Sequence, residues 1–166
     1  MRRLLSALAL FCAAAPLAAE DPCVLCDLPR PGAEEPPLTI EIASGLVFSR
    51  LALSGDTGGS AAIDPLTGAR SIVGGLVGLG GISVQGRGRI TGAPGRSIRV
   101  DLPATVAMST TGGGNAELTD LVTDLPAFPV LDATGSLDFG FGGTLRLSGA
   151  ASGKLRGRIA ISVDYN

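Results

Sequence analysis

The chain has 166 residues, among them 25 glycines and 11 prolines but no histidine and no tryptophan, and its formal net charge is −2. So many glycines argue against a fold of long helices, because each glycine costs about 1 kcal/mol relative to alanine inside a helix. The lack of histidine removes the usual general base of serine and cysteine hydrolases and all histidine zinc ligands. The lack of a basic excess argues against nucleic-acid binding.

The N-terminus has the pattern of a secretory signal peptide. Arg2 and Arg3 form a basic start, residues 4–17 are apolar, and two alanines precede Glu20. A membrane anchor is the alternative, but the apolar run is shorter than the ~20 residues that a spanning helix needs. The sequence therefore predicts export to the periplasm or the cell surface, with removal of residues 1–19 and no transmembrane span in the mature chain.

Residues 20–37 are acidic and contain five prolines, which predicts an extended linker outside any sheet. Cys23 and Cys26 lie in this linker. Asp27 stands where haem attachment needs histidine, and a Cys₄ zinc site would need two more cysteines. The neighbouring acids do not favour a reactive thiolate, so a redox or metal role is the minor alternative. We expect an intramolecular disulfide of modest stabilising effect, with an intermolecular bridge as the other outcome.

From residue 38 onward, apolar and polar residues alternate, which is typical of antiparallel strands with one buried face. The clearest segment, SLDFGFGGTLRLSG at 136–149, puts five large apolar side chains on one face: Leu137, Phe139, Phe141, Leu145 and Leu147. Glycine, proline and aspartate mark turns between such segments. The sequence predicts one domain over 38–166, an all-β, antiparallel, immunoglobulin-like β-sandwich of eight or nine short strands, with a closed barrel as the alternative.

Two further alternating segments give specific expectations. ISVQGRGRI predicts that Ile82, Val84 and Ile90 share the buried face, whereas Gln85 is exposed together with the arginines. KLRGRIAISVDYN predicts one long final strand. Its inward residues are Leu155, Ile159, Ile161, Val163 and Tyr165.

Arginines fall on the predicted outward faces of these strands: Arg87, Arg89, Arg99, Arg156 and Arg158. Two arginines at positions i and i+2 of a strand lie about 6.6 Å apart on one face. If the strands share a sheet, the arginines form a basic stripe that could contact an anionic polysaccharide or a partner's carboxylates. A solvated face that discourages aggregation is the alternative.

The remaining motifs give weak signals for chemistry. SGK at 152–154 could be read as a Ser–Lys pair, and GGLVGLGG at 74–81 lacks the ending of a phosphate-binding loop, which favours a strand pair with glycines at a bulge or close approach. Four aspartates lack the spacing of a calcium loop: Asp120, Asp124, Asp132 and Asp138. The sequence therefore predicts no catalytic residue, no metal site and no cofactor.

The alternating C-terminal segment with a penultimate tyrosine resembles subunits of the chaperone–usher route, in which a periplasmic chaperone holds the last strand by strand addition. The resemblance marks Ile159, Ile161, Val163 and Tyr165 as a strand-addition edge. Residues 38 to the end also resemble the bacterial secreted family catalogued as domain of unknown function 4402, through PLTIE, IDPLTGARSIVGGL, RGRITGAPGRSIRVDLP, TTGGGNAELTD and ISVDYN. That resemblance implies an exported, pilin-like β-sandwich and transfers no catalytic residue.

These observations favour a non-enzymatic structural or adhesion-type protein of the bacterial envelope. Its expected partners are other envelope proteins or a periplasmic chaperone. The alternative is a periplasmic or surface binding module that uses the arginines to hold an anionic glycan or a small ligand.

Overall fold

The structure is a computed structural model that describes residues 35–55, 57–148 and 151–166. The predicted signal peptide, most of the predicted linker and the Cys23–Cys26 pair lie outside the described residues. The described residues contain strands and turns, and they include no helix that is long and apolar enough to cross a membrane.

Eleven β-strands form within the described residues, against the eight or nine that the alternation predicts. They are β1 (Thr39–Ser44), β2 (Leu51–Leu53), β3 (Gly59–Ile63), β4 (Arg70–Gly74), β5 (Leu76–Gly78), β6 (Gly86–Thr91), β7 (Ile98–Asp101), β8 (Thr105–Met108), β9 (Asn115–Thr123), β10 (Ser136–Ser148) and β11 (Ser162–Tyr165). All strand pairs are antiparallel, which confirms the all-β, antiparallel prediction.

Seven strands form one sheet around β10, whose 13 residues make it the longest strand described. The strands β6 and β3 follow one another along one edge of β10, and β9 pairs with the opposite edge. The strand β1 continues the sheet beyond β6, β4 beyond β3, and β8 beyond β9. Each of these outer strands has one partner among the described residues, so the sheet is open at its edges and is not a closed barrel.

The second layer consists of two separate ribbons, β7–β11 and β2–β5, which pack on the same face of β10. The first ribbon covers Phe139 and Phe141 in the N-terminal half of β10, and the second covers Leu145 and Leu147 in its C-terminal half. The alternation in SLDFGFGGTLRLSG thus gives the buried face correctly. The result is a two-layer sandwich whose second layer is divided in the middle.

Two glycines of β6 make room for the aromatic side chains of β10. Phe139 pairs with Gly88 and Phe141 with Gly86 across the strands. A Cβ on Gly88 would lie 2.7 Å from the ring of Phe139, and a Cβ on Gly86 would overlap the ring of Phe141. The glycines of GRGRI at 86–90 therefore face the core, where a side chain in their place would collide with the two rings.

The structure corrects the prediction for ISVQGRGRI. Ile82 is 82% exposed and Gln85 is only 6% exposed, the reverse of the expected pattern. The alternation fails because β6 begins at Gly86, after a loop in which Gly80 and Gly81 take the left-handed conformation. The Gln85 side chain is covered by the neighbouring loop and donates a hydrogen bond from Nε2 to the carbonyl of Leu66 (3.4 Å).

The last predicted strand is also shorter than the alternation indicates. Only Ser162–Tyr165 forms a ladder, with β7, and Arg156 forms an isolated bridge to Ser109. The inward positions nevertheless remain half-buried, as the alternation predicts: Leu155, Ile159, Ile161, Val163 and Tyr165. Residues 157–161 thus keep the side-chain pattern of a strand, but no described strand pairs with them.

Candidate functional site

An apolar groove lies in the gap between the two ribbons of the second layer. One wall is formed by residues 42–51 and the other by residues 151–161. Two adjoining depressions make up this groove, with volumes of about 720 Å³ and 460 Å³. They share Leu46, Phe48, Met108, Leu155 and Arg156.

The floor of the groove is the hydrophobic core itself. Leu118 of β9 and Phe141, Leu145 and Leu147 of β10 lie at its base, and each is largely buried. On the rim, Ile42 is 46% exposed, although Ile40 of the same strand packs on the core. The divided second layer therefore leaves part of the core open to solvent at the boundary between the two ribbons.

The backbone of one wall has hydrogen-bonding groups without a partner in the described backbone. Residues 157–161 form no backbone hydrogen bond with any other described residue, although they connect Arg156, which bridges Ser109, to β11. On the opposite wall, Val47 exchanges two hydrogen bonds with Val84, which does not line the groove. Polar groups of an extended backbone need partners, from water or from another strand, so this wall can accept a strand.

The charged side chains that line the groove are all basic among the described residues. Arg50, Lys154 and Arg156 line it, and no carboxylate is among its lining residues within the described chain. None of these three cations lies within ion-pair distance of a carboxylate of the described residues. Arg158 adds a further exposed cation two residues beyond Arg156. The groove thus combines an apolar floor with a positively charged rim.

The structure distributes the predicted arginines over different surfaces. Arg87 and Arg89 lie on the outer face of β6 in the large sheet, Arg99 lies on β7 in the second layer, and Arg156 and Arg158 lie beside the groove. All five are exposed. The condition for one continuous basic stripe, strands in a single sheet, is therefore not met.

Two of these arginines are engaged by acids. Arg89 makes a two-pronged contact with Asp138 (2.6 and 3.0 Å) across β6 and β10, and Glu41 follows in register on β1. The hydrogen bond from Arg89 holds the pKa of Asp138 below its usual value. Arg99 binds Asp101 two residues along the same strand (2.7 Å). Both pairs are solvent-exposed, so each contributes little to the free energy of unfolding.

The predicted strand-addition residues divide into two groups. Val163 and Tyr165 belong to β11, which pairs with β7 on one edge and has no described partner on the other. Ile159 and Ile161 precede β11 and line the groove. All four pack against the core cluster around Ile90 and Phe139.

Tyr165 has a structural role that the alternation does not reveal. Its hydroxyl accepts a hydrogen bond from the Ala93 amide and donates one to the Pro36 carbonyl, each at 2.7 Å. The Arg96 guanidinium lies 5.5 Å from the centre of its ring and also pairs with Glu35. Tyr165 therefore fastens the start of the described chain to the turn after β6.

Each of the four aspartates considered as calcium ligands forms a hydrogen bond or an ion pair with nearby residues. Asp120 lies at a left-handed residue of β9 (φ 51°) and contacts Thr119 and Arg146, and Asp124 accepts a bond from the Gly140 amide (2.8 Å). Asp132 organises the turn before β10 by accepting hydrogen bonds from the Thr134 and Ser136 amides, and Asp138 is paired with Arg89. Within the described chain, no group of three or more potential ligands could hold a metal.

The glycine-rich segment at 74–81 joins the two layers. The strand β4 belongs to the large sheet and β5 to the β2–β5 ribbon, and Gly75 lies between them. A Cβ on Gly75 would approach the Gly58 carbonyl to 2.8 Å. The prediction of glycines at a close approach is therefore correct, but the two strands belong to different sheets.

Sequence reasoning missed the groove because most of its walls have no regular secondary structure. Leu46 and Phe48 follow β1 and are half-buried, and Met108 ends β8. The sequence feature that could have indicated the groove is the alternation of basic and apolar residues over 154–161, which lies before the observed strand β11.

The fold and the groove define a class of protein: an all-β, two-layer antiparallel sandwich domain with an open, positively rimmed groove in its second layer. Residues 38–165 match the family model described as Domain of unknown function (DUF4402), and the chain belongs to this family. No curated protein and no solved structure shows significant similarity to the chain.

Proposed function

We propose that this protein is an exported, non-enzymatic structural or adhesion-type component of the bacterial cell envelope, a pilin-like sandwich that works through strand addition. The observation that carries the proposal is the backbone of 157–161, which forms no backbone hydrogen bond with another described residue and lies beside an open apolar groove. Strand addition to an exposed edge gives affinity through main-chain hydrogen bonds and specificity through pockets for alternate side chains. The groove offers both.

Export is supported by the sequence pattern of residues 1–19. The partners that fit this function are other envelope proteins or a periplasmic chaperone, because either can supply an extended segment. Localisation is tested by fractionating cells that express the full chain with a C-terminal epitope tag. We expect the protein in the periplasm or on the surface, and a deletion of residues 2–19 should keep it in the cytoplasm. A cytoplasmic full-length chain would contradict the export step.

The assembly step is tested on the chain without residues 1–19. A sandwich that needs another strand should self-associate or gain stability with concentration, because association with a partner favours the folded state. We expect light scattering to detect oligomers and the melting temperature to rise with protein concentration. The substitution Ile42→Lys, at the exposed rim of the groove, should reduce both effects, whereas Val73→Lys, at an exposed position of β4, should not. A monomer with a concentration-independent melting temperature would contradict self-assembly.

One observation favours a second candidate, a binding module for an anionic glycan. Lys154, Arg156 and Arg158 alternate along one wall, are exposed and make no ion pair with a described carboxylate. Such a row could contact sulfate or carboxylate groups of a polysaccharide. The wild-type protein should then be retained on a sulfated glycan resin, and Arg156→Glu should elute at lower salt. Passage of the wild type through the resin at low salt would exclude this role.

A further inference from the structure

We infer that the groove between the ribbons selects an extended segment of another chain in which apolar residues alternate with glutamate or aspartate. This inference rests on the proposed strand-addition function and adds the chemistry of the partner. It follows from three properties of the same wall: its backbone, the side chains that face the core, and the side chains that face solvent.

The backbone selects the conformation of the occupant. Residues 158–161 alternate between exposed and half-buried, as residues of a strand do, and residues 157–161 have no described backbone partner. Only another extended backbone can satisfy successive amide and carbonyl groups at the spacing of a strand. A helix has already used its own backbone groups, and a lipid chain has none to offer.

The inward side chains select apolar residues at alternate positions. Ile159 and Ile161 point toward the groove, and Phe141 and Leu118 lie below them. An added strand would lay every second side chain on this floor. Covering the exposed apolar surface is favourable by about 25 cal/mol per Å². A polar residue at these positions would be buried without a partner, so apolar residues are required there.

The outward side chains select the charge of the remaining positions. Arg156 and Arg158 are two residues apart on the solvent side of the wall, and Arg50 lies on the opposite side of the groove. The outward residues of an added strand would lie directly across from these cations. Opposite charges at such cross-strand positions are favourable and like charges are unfavourable. Since the groove has no acidic lining residue among those described, carboxylates are preferred at these positions.

The test uses three synthetic peptides on the chain without residues 1–19. In the first, valine alternates with glutamate; in the second, valine alternates with lysine; the third has the composition of the first in scrambled order. We expect the valine–glutamate peptide to bind about tenfold more tightly than the valine–lysine peptide, from two to three cross-strand pairs. We expect the scrambled peptide not to bind. Hydrogen exchange should slow at the amides of 157–161 when the first peptide is bound.

A charge-reversal pair locates the effect. Arg156→Glu should weaken binding of the valine–glutamate peptide severalfold and strengthen binding of the valine–lysine peptide. Arg87→Glu, an equal change of charge on the outer face of β6, should alter neither affinity. Both positions are exposed, so both variants should retain the wild-type melting temperature.

The outcomes separate this inference from the function on which it rests. Equal affinity for the two alternating peptides, with protection of 157–161, would overturn the charge selection and leave strand addition in place. If the scrambled peptide bound as tightly as the first peptide, binding by strand addition would be overturned in favour of simple anion binding. A sulfated oligosaccharide that bound equally tightly and competed with the first peptide would lead to the same conclusion. Absence of peptide binding by a chain that still self-associates would overturn the groove as the site of addition.

Discussion

The packing of Phe141 against Gly86 gives the sharpest quantitative test of the fold. Phe141 is 2% exposed, and a Cβ on Gly86 would overlap its ring. Overpacking of a close-packed core costs about 1–3 kcal/mol. Replacing glycine by alanine would otherwise stabilise the chain by about 0.4–1 kcal/mol, by reducing the entropy of the unfolded state. We therefore expect Gly86→Ala to reduce the free energy of unfolding by about 1–2 kcal/mol.

The matched control is Gly45→Ala. Gly45 is exposed, has no heavy atom within 4 Å of the Cβ that would be added, and does not take the left-handed conformation. Its replacement should leave the free energy of unfolding unchanged or raise it slightly. Both variants are measured by urea unfolding monitored with far-UV circular dichroism, since the chain has no tryptophan.

A double-mutant cycle connects the loss to the ring. Phe141→Leu alone should destabilise the protein, but combined with Gly86→Ala it should cost less than the two separate changes together. Coupling energies between residues in contact are typically about 0.5–3 kcal/mol. If Gly86→Ala behaved like Gly45→Ala, or if the two changes were additive, the packing of the ring into the glycine position would be refuted.

Two further predictions concern hydrogen bonds. Tyr165→Phe should lower the free energy of unfolding by about 1–2 kcal/mol in the same urea assay, because it removes two bonds and leaves the Ala93 amide without its partner; a loss within error would show that water replaces the hydroxyl. The hydrogen bond from the Thr134 hydroxyl, with the amides of Ser136 and Thr134, lowers the pKa of Asp132. A lowered pKa in the folded state adds stability above the unfolded value of about 4, and this stability is lost as the pH falls through the folded value. In acid unfolding, Asp132→Asn should therefore give a flatter dependence below about pH 4, and a curve parallel to that of the wild type would contradict the role of the carboxylate.

The parts of the fold that could be predicted are those in which side-chain alternation and the hydrogen-bonded ladder coincide. In β10 both continue for 13 residues, and the predicted inward face is the observed core face. In 82–90 they do not coincide, because the ladder begins only at Gly86 and Ile82 lies in the loop before it. Alternation reports which side of the chain faces the core, but it does not report whether a neighbouring strand is present. This is why the final segment reads as one strand although its ladder covers only Ser162–Tyr165.

The candidate site was predictable only in part. The cations Arg156 and Arg158 and the apolar Ile159 and Ile161 follow from the sequence as residues of opposite faces. Their separation from Arg87, Arg89 and Arg99 does not, because it depends on which strands join which sheet. The opposite wall at Leu46 and Phe48 was missed because it is positioned by long-range packing and by the bridge of Val47 to Val84. Acid partners such as Asp138, which neutralise part of the basic surface, are likewise set by register across strands.

The division of the second layer also has a consequence for local unfolding of the protein. The strand β10 contributes to both core clusters, whereas each ribbon covers only one of them. Native-state hydrogen exchange should therefore resolve three levels of protection: two separate units of lower free energy, one for each ribbon, and the amides of β10 that exchange only on global unfolding. A strand bound between the ribbons would merge the two units into one. Binding of a segment in the gap would then increase the cooperativity of unfolding, because the two ribbons would no longer unfold locally and independently of each other.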